Sequence, residues 1–207
     1  MSPLADRTIA TVGSGVMAEA MIVGLLRGNL VTPSQVVASH PRAERRAALE
    51  EAHGIRVVAS NAEAVDGADV VILAVKPQTL AKVGREIAPH LRPGQLVLSV
   101  LAGPTTGALV ATLDHDQVVR AMPNTPARIG SGMTVWYATP ACTVDQRAQA
   151  KALLATLGVE LEVEEEKWVA MATAISGTGP AYVFLVMEAL IDAAVHLGFP
   201  RHIAHDI

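Results

Sequence analysis

Cysteine is nearly absent: Cys142 is the single one in 207 residues. An intramolecular disulfide is thereby excluded, and a thiolate zinc site has no ligand set to draw on. Aromatic residues are scarce at 3%, so a platform for stacking nucleic-acid bases is not expected. Positive charge is also short. Sixteen Lys and Arg stand against twenty Asp and Glu, a formal net charge of −4, whereas nucleic-acid-binding surfaces carry a basic excess. No apolar run in the sequence approaches the ~20 residues needed to span a bilayer, because Gly, Pro or a charge interrupts each one. The opening Met-Ser-Pro-Leu-Ala-Asp-Arg lacks the apolar core of a signal peptide. Metal, nucleic acid and membrane are therefore not expected as partners, and the cytoplasm is the expected compartment.

What is present in quantity is hydrophobic: 51% of residues, against 17% charged. That composition supports a sizeable core and argues against disorder. The pattern along the chain alternates. Strands are expected at Arg7–Val12, Gln35–Ser39, Arg56–Ala59, Asp69–Val75, Gln95–Val100, Val118–Met122, Gly132–Ala138 and Val159–Val163. Gly132–Ala138 reads as antiparallel and at the edge. Helices are expected at Gly15–Arg27, Arg42–His53, Pro77–His90, Thr105–Leu113 and Val144–Leu157, with a short one at 61–65 capped by Asn61. Val70 to Val75 are all apolar, which marks a strand buried on both faces. Alternating strands and helices predict an α/β fold with a mainly parallel sheet. After Val163 the pattern turns helical, with Glu164–Ile175 and Pro180–Leu197 separated by a glycine-rich break and a further helix starting at Pro200. The expected division is residues 1–163, a dinucleotide-binding domain, and 164–207, the start of a helical domain.

Four features carry chemistry. Thr8 to Ala18 reads as a strand, a tight turn at Gly13-Ser14-Gly15, and a helix. Gly13 permits the turn, Gly15 lets the backbone approach a pyrophosphate, and Ala18 lets helix and strand pack closely. Free amides at the helix start favour the phosphate anion. At the end of the second strand stands Ser39-His40-Pro41-Arg42, with no carboxylate to hold a ribose 2′-hydroxyl or to repel a 2′-phosphate. Ser39 as donor and Arg42 as phosphate partner favour NADP, with NAD as the alternative.

Ala74-Val75-Lys76-Pro77, Val100 to Gly103 and Met122 to Pro126 follow other strands. They should meet at the rim where ligands of open α/β sheets bind. Lys76 is placed near the nicotinamide path, and Asn124 sits in a loop stiffened by Pro123 and Pro126. The fourth feature is Ser176-Gly177-Thr178-Gly179-Pro180, read as a glycine-rich lead-in to a helix. Its amides would suit a small carboxylate. His202 and His205 lack a third ligand and read as surface residues; Glu164 to Glu166 read as an acidic helix start.

These motifs resemble the Δ1-pyrroline-5-carboxylate reductase family. The resemblance rests on Gly13-Ser14-Gly15-Val16-Met17-Ala18-Glu19-Ala20, Val71 to Gln78, Arg120-Ala121-Met122-Pro123-Asn124-Thr125-Pro126 and Ser176 to Phe184, in the family's order and spanning nearly the whole chain. It implies a Rossmann domain followed by an all-α dimerisation domain, and a homodimer or higher homo-oligomer. It implies hydride transfer from NAD(P)H to the imine carbon of pyrroline-5-carboxylate, giving L-proline. Matching positions place the cofactor at Gly13, Ser14, Gly15, Val16, Met17, Ser39, Asn61, Ala74, Val75, Lys76, Pro77 and Ala102. They place the substrate at Ser176, Gly177, Thr178, Gly179 and Pro180, with Glu166 and Asn124. No proton donor stands out. A reductase of another cyclic imine or small carboxylate, or a non-catalytic dinucleotide-binding paralogue, is the alternative. The family pattern continues for several dozen residues through further helices. The chain is therefore expected to be a truncated form.

Overall fold

The computed structural model describes residues 2–207. One eight-stranded sheet organises it: β1 (Ile9–Val12), β2 (Val36–Ser39), β3 (Arg56–Val58), β4 (Val70–Leu73), β5 (Leu96–Ser99), β6 (Val118–Met122), β7 (Gly132–Ala138) and β8 (Gly158–Glu162). The order across the sheet is β3-β2-β1-β4-β5-β6-β7-β8. The first six strands are parallel; β7 runs antiparallel to β6, and β8 parallel to β7. The chain builds outward from β1 on one side, then crosses to β4 on the other. That reversal opens a crevice at the carboxyl ends of β1 and β4, the place where doubly wound sheets bind ligands.

The alternation of apolar side chains explains the layers. Val70 and Ile72 of β4 face one core with Met21, Ile22, Leu25, Leu153 and Leu154. Val71 and Leu73 face the other, with Val65, Val83, Ile87, Leu109 and Leu113. Successive strand residues point to opposite faces, so a strand between two helical layers must be apolar throughout, as β4 is. The helices supplying these layers are α1 (Val16–Arg27), α2 (Ala43–His53), α3 (Asn61–Val65), α4 (Leu80–Ile87), α5 (Thr106–Leu113) and α6 (Val144–Ala155).

Four expectations need correction. β7 is antiparallel, but β8 lies outside it and forms the edge. The helix expected at 77–90 is an α-helical middle between two 3₁₀ turns, Pro77–Thr79 and Ala88–His90; Pro89 has no N–H to continue the α pattern. Ser60, not Asn61, caps α3, its hydroxyl accepting from the Glu63 amide. Finally, the expected break at 176–180 is absent. Helix α7 (Glu166–Ala172) passes through a π turn (Thr173–Gly177) into α8 (Gly179–His196), and a last short helix, α9 (Arg201–Asp206), follows. The result is one 31-residue helix, long and apolar enough by length and composition alone to cross a membrane. The sequence reading expected no such run because it took the glycines as a stop.

The π turn has a traceable cause. The Thr178 amide bonds to the Thr173 carbonyl, five residues back. That leaves the Ala174 carbonyl without its usual donor, and the Tyr182 hydroxyl supplies one at 2.9 Å. Pro180 has no N–H for the Ser176 carbonyl four residues earlier. A side chain from the loop after β6 takes that place, as described below. Beyond Pro180 the helix projects from the sheet with Tyr182, Phe184, Leu185, Met187 and Leu190 exposed.

One polar atom in the core is uncompensated. The Thr134 hydroxyl on β7 is buried without a hydrogen-bond partner among the described residues. A buried hydroxyl that bonds to nothing costs on the order of 1 kcal/mol or more. Thr134→Val is expected to be neutral or stabilising by up to about 1 kcal/mol. Thermal unfolding checks this, and a clear fall in Tm would show that the hydroxyl has a partner after all.

Candidate active site

The turn between β1 and α1 is built to bring backbone close to a ligand. Gly13 has φ +83°, and a Cβ there would lie 2.7 Å from Val75 Cγ1 and 3.1 Å from the Ala74 carbonyl oxygen. Glycine is therefore required on two counts, backbone conformation and close approach. Gly15, at the N-cap of the 12-residue α1, instead faces open space. The turn thus packs against β4 on one side and leaves room on the other, where the amides of the first helical turn are free for a phosphate. Ser14 has a buried side chain donating to the Ser39 carbonyl at 2.9 Å, so only its backbone can face a cofactor. Val16 is exposed and Met17 half-buried.

Ser39 requires a correction. Its side chain is fully buried. The hydroxyl donates to Asn61 Oδ1 at 2.7 Å and accepts from the Gly13 amide at 3.3 Å. It braces the glycine turn from beneath and is not available to a 2′-phosphate. Asn61 is engaged likewise: its amide nitrogens, backbone and side chain, donate to the Glu86 carboxylate at 3.0 and 2.9 Å. The groups that do reach the surface after β2 are cationic. Arg45 is held by Glu19 at 2.6 Å, which also pairs with His53 at 3.1 Å. Arg46 donates to the His40 and Pro41 carbonyls. The Arg42 side chain is exposed with no hydrogen-bond or ion-pair partner among the described residues. Burial pushes His40 below its ordinary value; the hydrogen bond with the Arg42 amide opposes this, and the charges of Arg42, Arg45 and Arg46 add to it. The end of β2 therefore gathers positive charge without acidic relief at Arg42.

The loops after β4 and β5 open at the same rim. Ala74 and Val75 are half-buried, while Lys76, Pro77 and Ala102 are exposed. The Thr79 hydroxyl holds the Lys76 carbonyl at 2.7 Å.

After β6 the sheet reaches the C-terminal helix. Arg120, on β6, is 6% exposed. Its guanidinium donates to Glu166 at 2.8 Å, and Glu166 also accepts from the Thr106 amide and hydroxyl, each at 2.7 Å. Asn124 Oδ1 accepts from the Met133 amide at 2.9 Å, and Nδ2 donates to the Ser176 carbonyl at 3.0 Å. This is the carbonyl that Pro180 leaves without a donor. Glu166 and Asn124, expected beside the substrate, are half-buried and make these bonds within the protein. The expected free helix start at Thr178 or Gly179 is corrected, since the Thr178 amide is used by the π turn. Ser176, Gly177, Thr178, Gly179 and Pro180 are all half-buried, and a Cβ at Gly179 would meet nothing within 4 Å.

Arg120 and Met122 entered the sequence reading only within motifs, and no site role was read for them or for Thr106. The signal existed. Arg120 is a lone charge inside the apolar run Val118-Val119-Arg120-Ala121-Met122, and a charge buried in a strand requires a partner. Among the described residues no group of three or more His, Cys, Asp or Glu is placed to hold a metal.

The sheet order, with a glycine turn at its reversal point, defines a dinucleotide-binding α/β oxidoreductase fold carrying a helical C-terminal element. Comparison with known proteins narrows this. Residues 8–103 match the family model described as NADP oxidoreductase coenzyme F420-dependent, and residues 166–207 match pyrroline-5-carboxylate reductase dimerisation. The pyrroline-5-carboxylate reductase of Pseudomonas aeruginosa is 45% identical over 197 residues, covering 95% of this chain and 72% of that protein. The solved structure of a pyrroline-5-carboxylate reductase from Coxiella burnetii superposes with TM-score 0.89 at 33% identity, covering 96% of this chain and 74% of that one. That of Plasmodium falciparum pyrroline carboxylate reductase, with NADP bound, gives TM-score 0.86 at 27% identity over 98% and 74%. The chain belongs to the pyrroline-5-carboxylate reductase family.

Burial works against ionisation of Glu166, but the two Thr106 donors and Arg120 outweigh it and hold the carboxyl below its ordinary value of 4.5. A depressed pKa contributes stability that is present above the unfolded value and lost as pH falls through the folded one. Glu166→Gln should cost about 2–3 kcal/mol near pH 7, since it leaves Arg120 buried without a counter-charge. The gap between parent and variant should close as pH falls below 4.5, because the protonated parent then resembles the variant. Denaturant unfolding across pH tests this; a gap that does not change with pH contradicts it.

Proposed function

We propose that this protein reduces Δ1-pyrroline-5-carboxylate to L-proline with a nicotinamide cofactor. Residues 1–163 serve as the cofactor domain, and 164–207 belong to a helical part that builds the substrate side and a homo-oligomer contact. The observation that carries the reading is the meeting, at one sheet rim, of the glycine turn and the Ser176–Pro180 segment, in a chain whose relatives are named for this reaction.

The residues fit the cofactor. Gly15 leaves space that a side chain would occupy, and Gly13 brings the turn against Val75. Backbone at Gly13, Ser14, Gly15, Val16 and Met17 would hold the pyrophosphate. Ala74, Val75, Lys76, Pro77 and Ala102 would line the path to the nicotinamide, with Ser39 and Asn61 supporting the turn from below. When bound, the reduced nicotinamide supplies a hydride. The substrate's C=N carbon accepts it, and the ring nitrogen of the protonated imine becomes the amine of proline. A protonated imine is already electrophilic, so the protein's part is to position the reactants and exclude water. Ser176, Gly177, Thr178, Gly179 and Pro180 form the segment that would receive the substrate carboxylate, with Gly179 offering unobstructed backbone.

NADP is the proposed cofactor. The support is the unpaired Arg42 beside His40, and the lack of a carboxylate at the end of β2. Purified protein, in the form its gene encodes, should oxidise NADPH only when pyrroline-5-carboxylate is added. Arg42→Ser should weaken NADPH binding about tenfold, roughly 1.4 kcal/mol, and leave NADH binding unchanged. Fluorescence titration and initial rates measure both. Turnover of other cyclic imines but not of pyrroline-5-carboxylate would overturn the substrate, and tighter NADH than NADPH binding in the parent would overturn the cofactor.

A further inference from the structure

Two helices meet beside the glycine turn through one carboxylate. Glu19, in the first turn of α1, has both oxygens engaged from α2. Arg45 donates to Oε2 at 2.6 Å, and His53 Nε2 lies 3.1 Å from Oε1. Burial works against ionisation of Glu19, but the hydrogen bonds and charges of Arg45 and His53 outweigh it and hold the carboxyl below its ordinary value of 4.5. Arg45, Leu49 and His53 follow one another at four-residue spacing, so they share one face of α2. Leu49, between the two polar anchors, is buried in the core that Met21 and Ile22 of α1 also enter. The Arg45 side chain is therefore fixed at its root by packing and at its tip by Glu19.

The same guanidinium reaches the turn itself. Its Nε and Nη2 both donate to the Ser14 carbonyl oxygen, each at 3.4 Å. Each contact is long for a hydrogen bond, but the two come from one cation and converge on one oxygen, so charge and carbonyl dipole are aligned. Ser14 is thereby held twice, since its hydroxyl donates to the Ser39 carbonyl at 2.9 Å. A trans peptide points its C=O and its N–H to opposite sides. With the Ser14 carbonyl held towards α2, the Gly15 N–H is turned away from α2. That N–H has no hydrogen-bond partner among the described residues, and Gly15 faces open space. The neighbouring cation behaves differently. Arg42 is exposed and without a partner among the described residues, whereas the charge of Arg45 is matched by Glu19 and its fork is occupied by backbone.

We propose that Arg45, anchored by Glu19, is a positioning residue for the diphosphate of the cofactor. It fixes the plane of the Ser14–Gly15 peptide and so presents the Gly15 amide to the pyrophosphate. The pyrophosphate is common to NADPH and NADH, so Arg45 serves both alike, while Arg42 distinguishes them. The inference rests on the proposed cofactor site and is independent of the proposed substrate.

Two variants test it. Arg45→Met removes both the fork and the charge; Arg45→Lys keeps the charge and loses the fork. Fluorescence titration is made at a temperature where parent and variants are folded. Arg45→Met should weaken NADPH and NADH by the same factor, about tenfold, the worth of one amide-to-phosphate hydrogen bond. Arg45→Lys should show most of that loss. KM for pyrroline-5-carboxylate at saturating NADPH should stay as in the parent.

A loss confined to NADPH would overturn the proposal in favour of a direct contact between Arg45 and the 2′-phosphate. Parent-level binding in Arg45→Lys would overturn it in favour of a bare charge effect. Unchanged binding of both cofactors in an Arg45→Met protein that merely melts earlier would reduce the network to a structural link between α1 and α2. If the parent binds neither cofactor, the proposed cofactor site falls, and cofactor-free crystal structures decide the brace. The Ser14–Gly15 peptide should then rotate in Arg45→Met, and a peptide plane unchanged from the parent overturns the proposal.

Discussion

A guanidinium inside a sheet, covered on both faces, must be met by an anion or be expelled. Arg120 is such a group, in a strand otherwise made of Val, Ala and Met. The anion comes from the first residue of the C-terminal helix, and Thr106 at the start of α5 steadies it. One ion pair thus ties together a strand, a helix start from the sheet half and the entire helical element. Such pairs add little net stability compared with a well-packed apolar contact, but losing one partner is expensive. The consequence is positional. The helix cannot leave the rim without stranding a buried charge.

The opposite side of the crevice is held by neutral hydrogen bonds. Ser39 stands between the glycine turn and Asn61, and Asn61 in turn reaches Glu86 on α4. The backbone that would receive a pyrophosphate is therefore supported from three elements. The rim has two rigid walls, one of braced backbone and one of clamped helix. A reaction that asks mainly for alignment is suited to that arrangement.

Much of the fold was legible in the sequence because its signals are local. The unbroken apolar run at Val70–Val75 announced a strand buried on both faces, and the Gly13–Gly15 turn announced the first βα unit. β6 and β7 were placed with their observed ends. The misses share one origin: a residue type was read by its usual habit when a distant partner decided its role. Gly177, Gly179 and Pro180 suggested a break, yet Asn124 and Tyr182 supply the donors that keep the helix continuous. Ser39 suggested a phosphate ligand, yet the turn that folds over it takes its hydroxyl. Glu166 suggested a substrate acid, and no local pattern signalled that a cation 46 positions away in the chain would pair with it. Periodicity reports which face is buried; it does not report what a buried polar group will find there.

The central claim is that the sheet rim, through β6, holds the segment proposed to receive the substrate against the proposed cofactor site. A crystal structure with NADP and L-proline bound tests it most directly. The account predicts the pyrophosphate on the amides at Gly15–Met17 and the proline carboxylate on backbone at Gly177–Gly179. It predicts the nicotinamide C4 about 3–3.5 Å from the ring carbon that receives hydride, with the Arg120–Glu166 and Asn124–Ser176 bonds intact. A carboxylate bound directly by Glu166-side groups or elsewhere in the crevice, with either of those bonds broken, would contradict it.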